Sequence, residues 1–159
     1  MVHTDRIVKD LDLVYEGVFD FKEFISFLKD YFKRNDYDID EKLYDTKIKN
    51  GLKSTKIKWE CDRKLDDYNK ALAKLSIELI DYKEGYVDGI KVVDGKIKLG
   101  FNGDLERDYD AKWKVTPKKR FIRAIYDKYV KTEKQSTVEG NLKSLIENLL
   151  KEVKQYFKV

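Results

Sequence analysis

The fold turns on Leu11-Asp12-Leu13-Val14-Tyr15-Glu16-Gly17-Val18-Phe19-Asp20-Phe21-Lys22-Glu23-Phe24-Ile25, where the hydrophobic period changes within a few residues. From Lys9 to Asp20 the pattern alternates. Leu11, Leu13 and Tyr15 fall on one face, and Asp12, Val14 and Glu16 fall on the other, as in a strand. At Asp20 the spacing becomes helical. Asp20-x-x-Glu23 forms a capping box, with Phe19 and Phe24 at the two positions of a hydrophobic staple. Phe21, Phe24, Ile25, Leu28 and Phe32 then recur at helical spacing until Asn35 closes the helix. A strand therefore leads directly into an amphipathic helix.

Downstream, the period is mostly two from Tyr37 to Trp113. Tyr37, Ile39 and Leu43 begin a second strand. Ile57, Trp59 and Cys61 alternate against Lys56, Lys58, Glu60 and Asp62, and Ala73, Leu75, Ile77 and Leu79 mark a fourth segment. Val93-Asp94-Gly95-Lys96 predicts a type I′ hairpin, with Val92 opposite Ile97 and Ile90 opposite Leu99. A three-residue loop, Asn102 to Asp104, then keeps Phe101 and Leu105 on one face. It sets Lys98 against Asp108 and Lys96 against Asp110 on a seventh strand that runs through Tyr109, Ala111 and Trp113. Thr116-Pro117 opens a helix over 117–131, striped by Phe121, Ile122, Ile125 and Tyr129. Ser136-x-x-Glu139 caps the longest helix, with Leu142, Leu145, Ile146, Leu149, Val153 and Phe157 on one side. The expectation is one α+β domain over residues 1–159. It is a seven-stranded curled antiparallel sheet, in the order β-α-β6-α-α, covered by the C-terminal helix.

That element order resembles the helix-grip fold of START domains and the birch-pollen-allergen family. The resemblance implies a sheet curled around the last helix, often enclosing an apolar cavity. Two features depart from the family pattern. One helix stands in place of the short pair after the first strand, and the glycine-rich loop between strands two and three is reduced to Asn50-Gly51. The stretches Glu16 to Phe21, Ile57 to Glu60 and Arg120 to Tyr129 also look like small uncharacterised archaeal proteins, a likeness that carries no activity with it.

Composition narrows the classes. Among the 159 residues, 42% are hydrophobic and 13% aromatic, enough to build a core and to exclude a disordered chain. No stretch reaches the ~18–20 uncharged apolar residues of a membrane span. The start, Met1 to Arg6, runs into alternating charge, not an apolar signal core, and Cys61 is the sole cysteine. A cytoplasmic protein without a disulfide is expected. Lysine supplies 28 of the 34 basic residues, beside two Gln, one Met and one Pro, a bias that fits a hot habitat or AT-rich coding alike. The positive excess is local: residues 117–159 carry 11 basic groups against 5 acidic ones.

Catalytic chemistry finds little to use. His3 is the only histidine and stands at the terminus, so a histidine base, a triad or a His-rich metal site is out of reach. Cys61 shares the inward parity of Ile57 and Trp59 and reads as a buried small hydrophobe. Neither a phosphate-binding glycine loop nor a dinucleotide fingerprint occurs, so no cofactor is implied. Asp36-x-Asp38-x-Asp40 resembles the start of a calcium loop. Glu41 replaces the glycine it requires and Lys47 the bidentate Glu, so solvated strand-edge charge is the better reading and no metal is expected.

Two binding surfaces remain. On the inner face, Tyr15, Trp59, Phe101, Tyr109 and Trp113 are candidates to line a cavity, against the competing reading of packed core. At the start of helix 117–131, Lys118, Lys119, Arg120 and Arg123 are candidates for an anion site. The helix dipole disfavours cations there, and neutralisation by Asp104, Glu106 and Asp108 is the competing reading. The basic helix start suits phosphate, nucleic acid or an acidic protein surface. Three functions follow: a non-enzymatic protein holding an apolar or amphipathic small molecule between sheet and C-terminal helix; a nucleic-acid or ribonucleoprotein module using helix 117–131; or a protein-interaction module with a filled core whose surface binds another protein.

Overall fold

The computed structural model describes the backbone of residues 3–66, 69–107 and 131–158. It is an α+β fold. The described elements are β1 (His3–Phe19), α1 (Phe21–Arg34), β2 (Asp38–Lys49), β3 (Leu52–Lys64), β4 (Asn69–Val87), β5 (Ile90–Arg107) and α2 (Lys131–Phe157). The five strands form one antiparallel sheet in the order β1-β5-β4-β3-β2. Among the described residues β1 and β2 are thus the two edges, and α1 carries the chain from one to the other. Both helices pack on one face of the sheet.

The start of α1 is as its sequence predicts. The Asp20 carboxylate accepts the Glu23 backbone N–H at 3.1 Å, and the Phe19 and Phe24 rings meet edge to face at 6.2 Å. At the other end the left-handed residue is Asp36 (φ +62°), one position beyond Asn35. The Tyr37 N–H reaches the Phe32 carbonyl at 2.9 Å and the Asp36 N–H reaches that of Lys33 at 3.1 Å, a Schellman closure. The Asn35 side chain donates to the Tyr31 carbonyl at 2.8 Å. Asn35 therefore caps, and Asp36 makes the turn.

The predicted seven strands are corrected to five among the described residues. Residues 90–107 form one strand, so no hairpin stands at Asp94-Gly95 and no loop at 102–104. The turn into β5 uses Asp88 (φ +50°) and Gly89 (φ +79°), as Asn50 (φ +54°) and Gly51 (φ +77°) turn β2 into β3. Gly95 serves close approach instead. A Cβ there would lie 2.6 Å from the Tyr82 Cβ and 2.9 Å from its Cα, where β4 bulges between Ile80 and Lys83. Lys96 accordingly faces Glu16 across β1, and Lys98 stands between Val14 and Glu78. Of the expected seventh strand, Leu105 belongs to β5, whereas Tyr109, Ala111 and Trp113 lie outside the described residues, as do Asp108 and Asp110. The C-terminal helix also begins earlier than its predicted cap, so Ser136 is inside α2. Lys131 to Gln135 contain no Gly or Pro to stop it.

The inner face is built in rows across the strands. Trp59, Leu75, Phe101 and Leu11 are register neighbours on β3, β4, β5 and β1. Ile57, Ile77, Leu99 and Leu13 form the next row. Against these pack the α2 stripe of Leu142, Leu145, Ile146, Leu149, Val153 and Phe157 and the α1 stripe of Phe24, Leu28, Tyr31 and Phe32. The two helices are tied where the Tyr31 hydroxyl donates to the Leu145 carbonyl at 2.6 Å. The outer face is charged and cross-linked, with Lys56 to Glu78 at 3.8 Å and Lys70 to Asp62 at 3.4 Å. Asp104, expected in an acidic loop, is in β5 at 2% exposure, neutralised by Arg6 at 2.8 Å and Lys74 at 3.3 Å.

Candidate functional site: a cleft between α1 and the sheet

Strands β4 and β5 run 19 and 18 residues, and beyond Tyr82 and before Val93 their turn ends, residues 83–87 and 90–92, extend past the buried core. The buried stripe of α1 faces the core and α2. A second line of residues on the helix, Phe21, Ile25 and Lys29, is left beside the extended part of the sheet. Between them lies an open cleft of about 590 Å³. Its walls are Phe21 and Ile25 from α1, Tyr44 from β2, Tyr82 from β4, and Ile90 and Val93 from β5. Lys22, Ser26, Lys29, Asp20, Glu84 and Lys91 complete the lining.

A β-bulge at Lys42 brings Tyr44 here. Glu41 pairs with Trp59 and Leu43 with Lys58, so the extra residue reverses the faces of β2 and turns Tyr44 toward the helices. Leu43, which has the same parity as Tyr37 and Ile39 in the sequence, is turned to the opposite face from Ile39 by the same bulge. Next to Tyr82 the sheet carries a short hydroxyl chain. The Tyr82 hydroxyl is 2.9 Å from Thr55 Oγ1, which is buried, and Thr55 Oγ1 is 2.9 Å from Thr46 Oγ1.

The charges are unevenly matched. The Glu84 carboxylate sits between Lys53 at 2.7 Å and Lys91 at 2.6 Å, and their hydrogen bonds pull its pKa down to about 2. The same contact raises the Lys91 ammonium above its ordinary value. Among the described residues, neither Lys22 nor Lys29 has a carboxylate within 4 Å. Lys29 Nζ instead stands 5.8 Å from the centre of the Trp59 ring. The cleft therefore combines apolar walls with two ammonium groups that no carboxylate reaches within 4 Å among the described residues.

The aromatic residues singled out in the sequence lie elsewhere. Trp59 and Phe101 are 1% and 2% exposed, in one row with Leu75 between them, and the Trp59 indole N–H donates to Glu41 at 3.1 Å. Tyr15 stacks on Phe157 at 4.3 Å between ring centres. All three belong to the packed face or its margin. Tyr109, Trp113, Lys118, Lys119, Arg120 and Arg123 lie outside the described residues. Sequence reasoning assigned Phe21 and Ile25 to the same stripe as Phe24 and Leu28. On a helical wheel Phe21 falls between Leu28 and Phe32, and Ile25 stands only about 20° beyond Phe32, so the spacing alone did not separate them from the buried stripe.

A polar recess of about 290 Å³ opens at the opposite end of α1, where Asn35, Arg63, Asn141, Ser144 and Asn148 surround Tyr31 and Tyr37. Burial pushes both phenols up to about 12, so they stay neutral there. Cys61 is buried, and its thiol is likewise pushed up to about 12, which removes the thiolate a nucleophile needs. Among the described residues no helix is long and apolar enough to cross a membrane. Compared with known proteins, the chain matches no family model, no curated protein and no solved structure.

Proposed function

We propose that the protein binds a small amphipathic molecule, apolar in its body and anionic at one end, in the cleft between α1 and the turn ends of β4 and β5. The observation that carries this reading is the coincidence of apolar walls with Lys22 and Lys29, two cations that lack a carboxylate partner among the described residues. A volume of about 590 Å³ is within the range of sites for small ligands. The order strand, helix, antiparallel meander, C-terminal helix supports a reading as a shortened helix-grip architecture. The binding site moves within that architecture. Side chains between the sheet and α2 are in contact, while those beside α1 leave room. The reading is non-enzymatic, and binding is the only chemistry it asks of the cleft. The alternative as a nucleic-acid module rests on Lys118, Lys119, Arg120 and Arg123 and is supported by the sequence alone.

Titration with 8-anilinonaphthalene-1-sulfonate and with decanoate, followed by fluorescence and by backbone amide shifts, tests the reading. Saturable binding is expected, with shifts at Ile25, Tyr44, Tyr82 and Ile90. Lys22→Glu with Lys29→Glu should weaken it about tenfold or more, the equivalent of ~1.4 kcal/mol. Shifts confined to other surfaces, or affinity unchanged by the charge reversals, would overturn it.

A further inference from the structure

β2 ends the sheet, and its 12 residues leave one row of backbone groups without a strand partner among the described residues. Such edges are guarded when charge along them repels every incoming strand. Here the charge is ordered instead. Asp38 and Asp40 occupy the beginning of β2, and Lys47 and Lys49 occupy its end. Within the chain, the acidic end is poorly matched: Asp38 stands directly opposite Asp62, and Asp40 opposite Glu60. Directly opposed like charges destabilise a strand pair. On this side Lys42 stands between Asp40 at 2.7 Å and Glu60 at 3.9 Å, and Lys70 reaches Asp62 at 3.4 Å, but Asp38, Lys47 and Lys49 have no ion partner among the described residues.

We propose that β2 pairs antiparallel with β2 of a second copy of this chain, with Tyr44 on the twofold axis. The bulge at Lys42 makes this register self-consistent. It places Ile39, Tyr44 and Ile48 on the helix side and Asp38, Asp40, Asp45, Lys47 and Lys49 on the outer side. With Tyr44 opposite itself, Lys47 meets Asp40 of the second copy and Lys49 meets Asp38, both pairs on the outer face. Ile48, 70% exposed in the single chain, meets Ile39 of the second copy on the inner face. Each pair occurs twice by symmetry. Moving the register by two residues in either direction sets Asp45 against Asp45 or Asp40 of the other copy, and parallel pairing brings the acidic ends together. One arrangement of the edge therefore satisfies both faces and all the end charges.

Sedimentation equilibrium and light scattering across the micromolar range test the pairing. The expected result for the natural chain is a mass approaching twice 18.9 kDa at high concentration, falling back toward 18.9 kDa as salt is raised. Asp38→Lys with Asp40→Lys makes both ends basic. Lys47→Glu with Lys49→Glu makes both ends acidic. Each variant alone is expected to be monomeric, and an equimolar mixture to recover the dimer mass. The first variant also replaces the Asp38–Asp62 and Asp40–Glu60 oppositions with opposite-charge pairs, so its loss of dimer is not a loss of fold. Circular dichroism and recovery in the mixture provide the same control for the second. A natural chain that stays monomeric throughout, a variant that remains dimeric, or two folded variants that fail to pair would each overturn the proposal.

Discussion

Gly103 of β5 lies directly beneath Ile146 of α2, so close that a Cβ on the glycine would stand 2.6 Å from Ile146 Cδ1. The same Cβ would come within 3.3 Å of Val8 and 3.4 Å of Leu142. Gly103 belongs to a row of small residues, Cys61, Ala73, Gly103 and Val8, that crosses β3, β4, β5 and β1. This row is a shallow trough in which the long helix rests. Its depth brings Leu142 and Ile146 against the sheet.

Gly103→Ala is therefore expected to destabilise the protein by ~1–3 kcal/mol through overpacking. Ile146→Val removes the atom that clashes, at its own cost of ~0.5–1.5 kcal/mol. The double variant should be more stable than the sum of the two losses predicts, because the two sites are in contact. Urea denaturation of the four proteins measures the coupling. Strict additivity would show that Ile146 does not set the helix against Gly103.

Gly95 and Gly89 separate two uses of glycine. Gly89 is in a left-handed turn with nothing within 4 Å of an added Cβ, so alanine there meets only the backbone penalty of ~1 kcal/mol. At Gly95 the added atom meets the backbone of Tyr82, which has no flexible end to move aside. Gly95→Ala should lower the denaturation midpoint more than Gly89→Ala. The reverse order would return Asp94-Gly95 to the role of a turn.

This contrast also explains how much of the fold was legible in the sequence. The β1-to-α1 switch is written in short-range signals, a cap and a staple, and it appears in the structure as the residues imply. The stripe of α2 and the inward parity of Ile57, Trp59 and Cys61 are equally local. The path of residues 90–107 is not. Asp94-Gly95 and Asn102-Gly103 carry turn chemistry, yet each glycine answers a contact with Tyr82 or Ile146 that lies far away in sequence. Val92 and Val93 offered an apolar residue to either face, which hid the continuous parity of Val93, Ile97, Leu99, Phe101 and Leu105. The cleft was hidden for a similar reason. Tyr44 reaches it through a bulge at Lys42, and no residue type marks that bulge.

Tyr31 offers a test of how α1 and α2 are held together. Its hydroxyl donates to the Leu145 carbonyl in the interior, and the nearby Arg34–Glu152 pair spans the same helices at 3.4 Å on the surface. Tyr31→Phe should cost ~1 kcal/mol, the usual worth of a buried hydrogen bond. Glu152→Gln should cost less, since exposed ion pairs contribute ~0–1 kcal/mol. Thermal melts compare the two. If the order is inverted, the helix contact is electrostatic and not the buried hydroxyl bond.

Alkaline pH should loosen the protein in a definite order. Cys61 is raised from 9.0 to about 12, and Tyr31 and Tyr37 from 10.0 to about 12, chiefly because burial penalises their anions. Below pH 9 all three are neutral whether the chain is folded or not, and their contribution is fully present. As pH rises past 9 the unfolded thiol ionises, and past 10 the unfolded phenols do, while the folded groups keep their protons until about 12. The unfolded state thus loses protons first, and stability falls between pH 9 and 12. Lysine ion pairs such as Lys91–Glu84 fail in the upper part of that window, since the Lys91 ammonium is held above 10.5. The decline between 9 and 10 consequently belongs mainly to Cys61. Urea midpoints for the natural chain and for Cys61→Ala, measured from pH 8 to 11, should diverge in slope over that first interval. Ellman's reagent should label Cys61 slowly in the folded protein and rapidly in urea. Equal slopes with rapid native labelling would place the thiol outside the core that Ile57, Trp59 and Ala73 make around it.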